Sequence, residues 1–273
     1  MTSLADYKAS RELLTHLTLR ELRGKYKRST LGWAWSLLNP LSTMIIFTIV
    51  FRVFFRAQAP PGAGGLNSFA LFLLCGLLPW NFLTSSVFGS LGTVIGNASL
   101  IRKTYFPREL LVVSQVNSWI VSFLLELALL VVVFAVMGNI VLPFIPVVLA
   151  LVVTLALFAT GLSLALSVFN VFFRDVQHFV SIFFQAWFYL SPIVYPITLV
   201  PERRVVFGID VPLREIYSRN PMAAFAEAFR DCFYHLRLPS LSTMAYLVTL
   251  SVATFFLGLF IFGRFEGRLA EEL

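Results

Sequence analysis

The sequence predicts an all-α membrane protein with six transmembrane helices, and two observations carry that expectation. Stretches 33–51, 57–101, 127–173, 176–201 and 238–263 contain no Asp, Glu, Lys or Arg. Hydrocarbon about 30 Å thick is crossed by roughly 20 apolar residues in a helix, and the two longest stretches are twice that length. The second observation is composition. Charged residues make up 13% of the 273 residues, against about 25% in soluble domains, and the mean hydropathy is +0.84.

The elements follow in order. Residues 4–28 mix Leu13, Leu14, Leu17 and Leu22 with seven cations, which fits an amphipathic helix lying in the membrane interface; an ordinary solvated basic arm is the other reading. Spans are expected at 33–56, 69–93, 112–137, 145–171, 177–199 and 240–263. The stretch 57–101 divides at Pro60-Pro61-Gly62-Ala63-Gly64-Gly65, and 127–173 divides at Gly138-Asn139 with Pro143 and Pro146 behind, both turn-forming clusters. The first apolar run is too long for a signal-peptide core and no small-residue cleavage motif follows it, so the anchor is expected to stay.

Orientation is read from Lys and Arg in the connections. One side collects the N-terminal cations, Arg102, Lys103, Arg108, Arg174, Arg264 and Arg268, thirteen in all. The other side holds Arg56 and six Arg in the 200–239 segment, where five acids nearly neutralise them. Both termini are therefore expected in the cytoplasm. The net charge of +7 is assigned to these flanks and to contact with anionic lipids rather than to nucleic acid.

Several positions carry chemistry. The loop Leu100-Ile101-Arg102-Lys103-Thr104-Tyr105-Phe106-Pro107-Arg108-Glu109 sets aromatics among charges. It is either a docking surface for a cytoplasmic partner or a set of aromatics at headgroup level. Arg174-Asp175, at the tight turn before the fifth span, is a helix-capping pair or a second contact for that partner. In Tyr189-Leu190-Ser191-Pro192-Ile193-Val194-Tyr195-Pro196 two prolines each remove an amide donor. Irregular backbone at membrane depth is tolerated inside protein or beside a water-filled cavity, so a broken helix near a transport path is favoured over a simple kink. Trp187, Phe188 and Tyr189 beside the break are candidates for stacking on sugar rings. Glu126, near the middle of the third span, should face protein or water, with Arg52 as its candidate partner.

Other functions lose support. Cys75 and Cys232 give neither a disulfide framework nor metal-ligand spacing and are expected as unpaired thiols. No relay of Asp, Glu and His crosses several spans, as ion-coupled pumping needs. Arg23-Gly24-Lys25-Tyr26 lacks the preceding Gly and the following Ser or Thr of a phosphate-binding loop. No catalytic triad, metal set or carboxylate pair stands out, so no catalytic, cofactor or metal residue is expected. Any ATP and Mg would be bound by another polypeptide.

Seven blocks together resemble a family, the permease subunits of ABC-2 type polysaccharide exporters (O-antigen, teichoic acid and mycobacterial galactan export). They are Leu22–Pro40 with its Tyr-Lys-Arg-Ser-Thr-Leu-Gly-Trp-Ala-Trp core, Gly76–Asn81, Leu100–Glu109, Phe173-Arg174-Asp175, Ser191–Pro196, Asn220-Pro221 and Phe229-Arg230. The resemblance implies a single transmembrane domain over 1–273, working as a homodimer with two cytoplasmic ABC ATPase subunits in the bacterial cytoplasmic membrane. It implies that the 97–109 loop is a coupling helix on the ATPase, with Arg174 and Asp175 near a second contact and the 1–30 helix alongside. It also implies short re-entrant helices in 200–239 that cap the channel. The implied cargo is a lipid-linked polysaccharide; a small lipid or drug, or less readily a membrane-embedded glycan-processing enzyme, are the alternatives.

Overall fold

The chain folds into long helices because backbone groups surrounded by hydrocarbon must find hydrogen-bond partners within their own segment. The computed structural model describes residues 4–25, 27, 30–54, 60–104, 106–206 and 209–272. Helix α1 (Leu4–Lys25) is followed by a 3₁₀ turn at Gly32–Ala34, α2 (Trp35–Phe47) and a π-helical stretch at Thr48–Phe54. Next come α3 (Phe69–Leu91), α4 (Thr93–Gly96), α5 (Ala98–Lys103), α6 (Glu109–Val136) and α7 (Ile145–Phe172). Beyond α8 (Val176–Leu190) the chain forms a 3₁₀ turn at Ile197–Leu199 and a small hairpin, β1 (Arg204–Val206) with β2 (Ile209–Val211). It closes with α9 (Leu213–Ser218), α10 (Pro221–Phe233) and α11 (Leu241–Glu272).

The expected spans are modified in two places. Four helical segments, Phe69–Leu91, Glu109–Val136, Leu142–Phe172 and Leu241–Leu269, are long and apolar enough to cross a membrane. The first expected span holds only a shorter apolar α-helix before it widens into π geometry, a local irregularity common at functional sites. The fifth, expected over 177–199, is helical for 15 residues and stops at Leu190, because Pro192 and Pro196 cannot supply the amide donors that would continue it.

Among the described residues the chain is all-helical as expected, apart from one small hairpin, an antiparallel pair with Arg204 opposite Val211. The segment between Pro201 and Pro212 is too short and too rich in β-branched residues to make a stable helix. Within 200–239, where short re-entrant helices were expected, the chain forms the short helices α9 and α10. Asn220 caps α10, its side chain accepting from the Met222 amide, and Pro221 takes the first turn, where its missing N–H costs nothing.

Packing forms two buried clusters. The larger gathers Phe72, Phe123, Phe134, Phe225, Phe229 and Phe233 from α3, α6 and α10. The smaller gathers Leu17, Ile101, Phe106, Leu111, Leu164, Phe262 and Leu269. There α1 lies on α6 with Leu17 and Leu22 buried, so at these two positions its apolar residues are covered by protein. At the far end of α3, the Asn170 amide of α7 donates to the Leu91 carbonyl at 2.9 Å. Cys75 and Cys232 are both free and buried. Phe179, Ile182 and Phe183 of α8 and Phe256, Leu257 and Phe260 of α11 point outward, as lipid-facing residues of a bundle do.

Candidate functional site

The loop joining α3 to α6 is built on two short helices, α4 and α5. Asn97 links them, its side-chain amide donating to the Thr93 carbonyl at 2.8 Å. Ile101 and Phe106 turn inward and are buried in the smaller cluster. Leu100 is partly buried and packs against the same cluster, while Arg102, Lys103 and Pro107 are exposed. Arg108 ties the loop to the last helix, its guanidinium donating to the Glu266 carbonyl at 2.5 Å. Glu109 is the first residue of α6, where a carboxylate meets the positive end of the helix dipole. Tyr105 lies outside the described residues. Thus the surface available to a partner is cationic, and the apolar residues anchor it to α1, α6, α7 and α11.

Arg174 and Asp175 are both exposed at the turn between α7 and α8. Asp175 occupies the N-cap position of α8, but its side chain makes no capping hydrogen bond. The capping reading therefore has no hydrogen bond behind it, and among the described residues neither charge has an ion-pair partner.

Glu126 and Asn39, Asn81 and Trp119 line a polar cavity of about 270 Å³ between α2, α3 and α6. The side chain of Arg52 lies outside the described residues. Among the described residues, the cation that Glu126 feels is Lys25, at the end of α1. The Lys25 ammonium sits 3.1 Å from the centre of the Trp119 ring and donates to the Ser118 carbonyl at 3.2 Å and the Ser122 hydroxyl at 3.1 Å. Burial pushes this ammonium down to about 7, against the opposing pull of the Glu126 and Glu21 carboxylates. A partly desolvated cation on an indole contributes about 1–2 kcal/mol. Lys25→Ala should therefore free the last turn of α1: amide exchange over residues 20–25 should speed up while exchange in α3 stays unchanged.

A second feature is a groove of about 450 Å³ between α3 and α8. Its polar groups are Asn81, Thr84, Ser181 and Gln185, and its aromatic walls are Trp80, Phe88, Phe184, Phe188 and Tyr189. Asn81, Ser181, Gln185 and Tyr189 are exposed, so the groove opens away from the bundle core. Two of the three aromatics expected here, Phe188 and Tyr189, line it. Trp187 turns instead against Trp80, with ring centres 5.7 Å apart, and its indole N–H donates to Asn220 at 2.9 Å. Amide and hydroxyl groups alternating with aromatic faces can bind a polyol by hydrogen bonds and ring stacking together.

The groove ends at the break after Leu190. Pro192 is buried, Tyr195 and Pro196 are half-buried, and the Tyr195 hydroxyl donates to the Tyr189 carbonyl at 2.9 Å. The fully buried Arg230 of α10 reaches this break, as does Asn220. The sequence marked both residues only as parts of recurring blocks and gave neither a role. An arginine flanked by Phe225, Ala226, Phe229 and Phe233 on one short helix was the available signal, because a charge on an apolar face needs buried partners.

Long apolar spans, a loop anchored inward with cations outward, and a broken helix beside a groove together define a multi-pass membrane protein. The chain belongs to the ABC-2 type transporter family, whose model matches residues 12–234. It is 32% identical over 263 residues to the O-antigen export system permease protein RfbA of Klebsiella pneumoniae, covering 96% of this chain and 95% of that protein. The RfbA protein of Myxococcus xanthus is 31% identical over 268 residues, covering 96% of each. The polysialic acid transport protein KpsM of Escherichia coli is 25% identical over 254 residues, covering 90% of each.

Proposed function

We propose that this chain is the membrane-spanning subunit of an ATP-driven exporter that moves a lipid-linked polysaccharide across the bacterial cytoplasmic membrane. The observation that carries the reading is the groove between α3 and α8, with amides and hydroxyls set among five aromatic walls. The sequence similarity to O-antigen and polysialic acid transport proteins supports the same cargo class. Both termini and the α4–α5 loop face the cytoplasm, in keeping with the excess of cations there.

Two copies of the chain would place their grooves on a shared path. Each copy would meet one cytoplasmic ATPase through Leu100, Arg102, Lys103, Tyr105, Pro107 and Arg108, with Arg174 and Asp175 as a second contact. ATP and Mg are held by that ATPase, and this chain contributes no catalytic group. When the nucleotide domains close, they push the loop, and Ile101 and Phe106 carry the push to the spans. The glycan slides along aromatic faces, which hold it without requiring one sugar sequence. The outer segment from the break to α10 gates the exit.

Depletion of the chain tests the reading. Lipid-linked glycan should accumulate on the cytoplasmic side while its synthesis continues, and an ABC ATPase should co-purify with the tagged chain. Normal surface glycan after depletion would overturn the polysaccharide assignment.

A further inference from the structure

The break between α8 and the outer segment has a hydrogen-bonding problem. In a continuous helix the Pro192 carbonyl would accept from the amide of residue 196, but residue 196 is proline and has none. The Ile193 carbonyl would accept from residue 197, which has turned away into the 3₁₀ turn at Ile197–Leu199. Buried carbonyls without partners are costly, the more so where no water reaches them.

One side chain supplies the missing donors. Arg230 donates through Nη1 to the Pro192 carbonyl at 2.8 Å, through Nη2 to the Ile193 carbonyl at 2.6 Å and through Nε to the Phe72 carbonyl at 3.3 Å. Its charge is met by Glu227 at 2.7 Å, one turn back on α10, and its plane lies 3.8 Å from the centre of the Phe72 ring. Gly76 makes room for it: a Cβ there would sit 3.0 Å from Nη2 and 3.4 Å from the Ile193 carbonyl. The planar fork of a guanidinium suits divergent acceptors in a way that an ammonium does not.

A second clamp lies at the other end of α10. The Asn220 amide donates to the Ser191 hydroxyl at 2.8 Å, and its oxygen accepts the Trp187 indole N–H at 2.9 Å. Asn220 and Arg230 are ten residues apart, roughly 15 Å along a helix. From these two places on α10 the side chains converge on neighbouring residues of the break, Ser191 and Pro192-Ile193, and so hold it by hydrogen bonds to three successive residues rather than to one. Parting the break from α10 would strand the two Nη donors of Arg230 and the Pro192 and Ile193 carbonyls in apolar surroundings, which a transport cycle would have to repeat at every stroke.

We propose that Arg230 is a positioning residue that, with Asn220, fixes the broken stretch Ser191–Pro196 to α10, so that the break and α10 move as one body when the outer path opens. Opening is then a displacement of this body, not a hinge at the prolines. The inference rests on the transport reading above, and its test keeps the two apart.

The test joins Ser191→Cys to Asn220→Cys with a short reducible bis-methanethiosulfonate cross-linker, in cells carrying the complete exporter and with Cys75 and Cys232 replaced by alanine. Export by the wild-type chain in the same assay reports on the transport reading alone. If the break and α10 move together, the cross-linked protein exports within about threefold of the same sample after reduction, since a linked rigid body can still be displaced. A larger loss on cross-linking, reversed by reduction, overturns the proposal. Arg230→Gln is the second arm. It should lower export at least about tenfold, the scale of gating defects, while the amount of inserted chain and of co-purified ATPase stays constant. Unchanged export overturns the positioning role. If Arg230→Gln does not assemble, the cross-link result decides.

Discussion

Gly161→Val and Gly258→Val are each expected to abolish the monodisperse, folded protein. The two glycines face each other where α7 crosses α11, the most extensive helix contact in the structure. A Cβ on Gly161 would meet the Thr254 carbonyl and the Phe255 nitrogen, and a Cβ on Gly258 would meet the Gly161 carbonyl. All of these are backbone atoms, which cannot step aside as a side-chain end can. Lipid offers no hydrophobic drive between spans, so close backbone approach at small residues is what holds such helices together. Overpacking usually costs about 1–3 kcal/mol, and a clash with rigid backbone on both helices belongs at the top of that range. Fluorescence-detected size exclusion in detergent measures it. Gly263→Ala is the control: a Cβ there meets nothing within 4 Å, and the elution profile should not change. A normal profile for both valine variants would show that the crossing can relax.

Phe106→Ala is expected to uncouple ATP hydrolysis from export. Phe106 and Ile101 plug the α4–α5 loop into a cluster formed by Leu17, Leu111, Leu164 and Phe262. A force applied to the exposed Arg102 and Lys103 therefore reaches α6, α7 and α11 through two apolar anchors. Truncating a buried Phe costs about 3 kcal/mol or more, enough to shift the anchored fraction of the loop by roughly two orders of magnitude. In a reconstituted complex, ATP hydrolysis should continue while export falls at least about tenfold, with insertion intact. The paired replacement Tyr105→Ser, Phe106→Ser should act in the same direction. Hydrolysis and export that stay in proportion would remove the loop from the coupling path.

The spans and the break were readable locally, and the partners of single residues were not. Phe69–Leu91 and Ile145–Phe172 agree closely with the runs expected from composition, because hydrocarbon thickness and backbone pairing depend on the chain segment alone. The stop at Leu190 was visible in Pro192 and Pro196. In contrast, the aromatics of the 100–109 loop were expected either on a docking surface or at headgroup level, whereas Phe106 is buried in protein. Phe106 lies in the short link between α5 and α6, where no helical or strand period says which side chain is hidden. The hairpin at Arg204–Val211 was missed for a similar reason: three-residue strands leave no pattern.

Charges show the division most clearly. The sequence alone determined that charge is scarce within the spans and concentrated at their ends, and so that the membrane is the solvent. It named Glu126 as needing a partner but pointed to Arg52, because depth along one helix is all a linear chain gives. Only the tertiary structure set Lys25 over Trp119 and near Glu126, and Arg230 beneath the carbonyls that two prolines had left without donors. A helix can be predicted from what it excludes, water and charge. Which buried cation satisfies which orphaned oxygen depends on residues 37 and 38 positions apart being brought within 3 Å, and that is a property of packing.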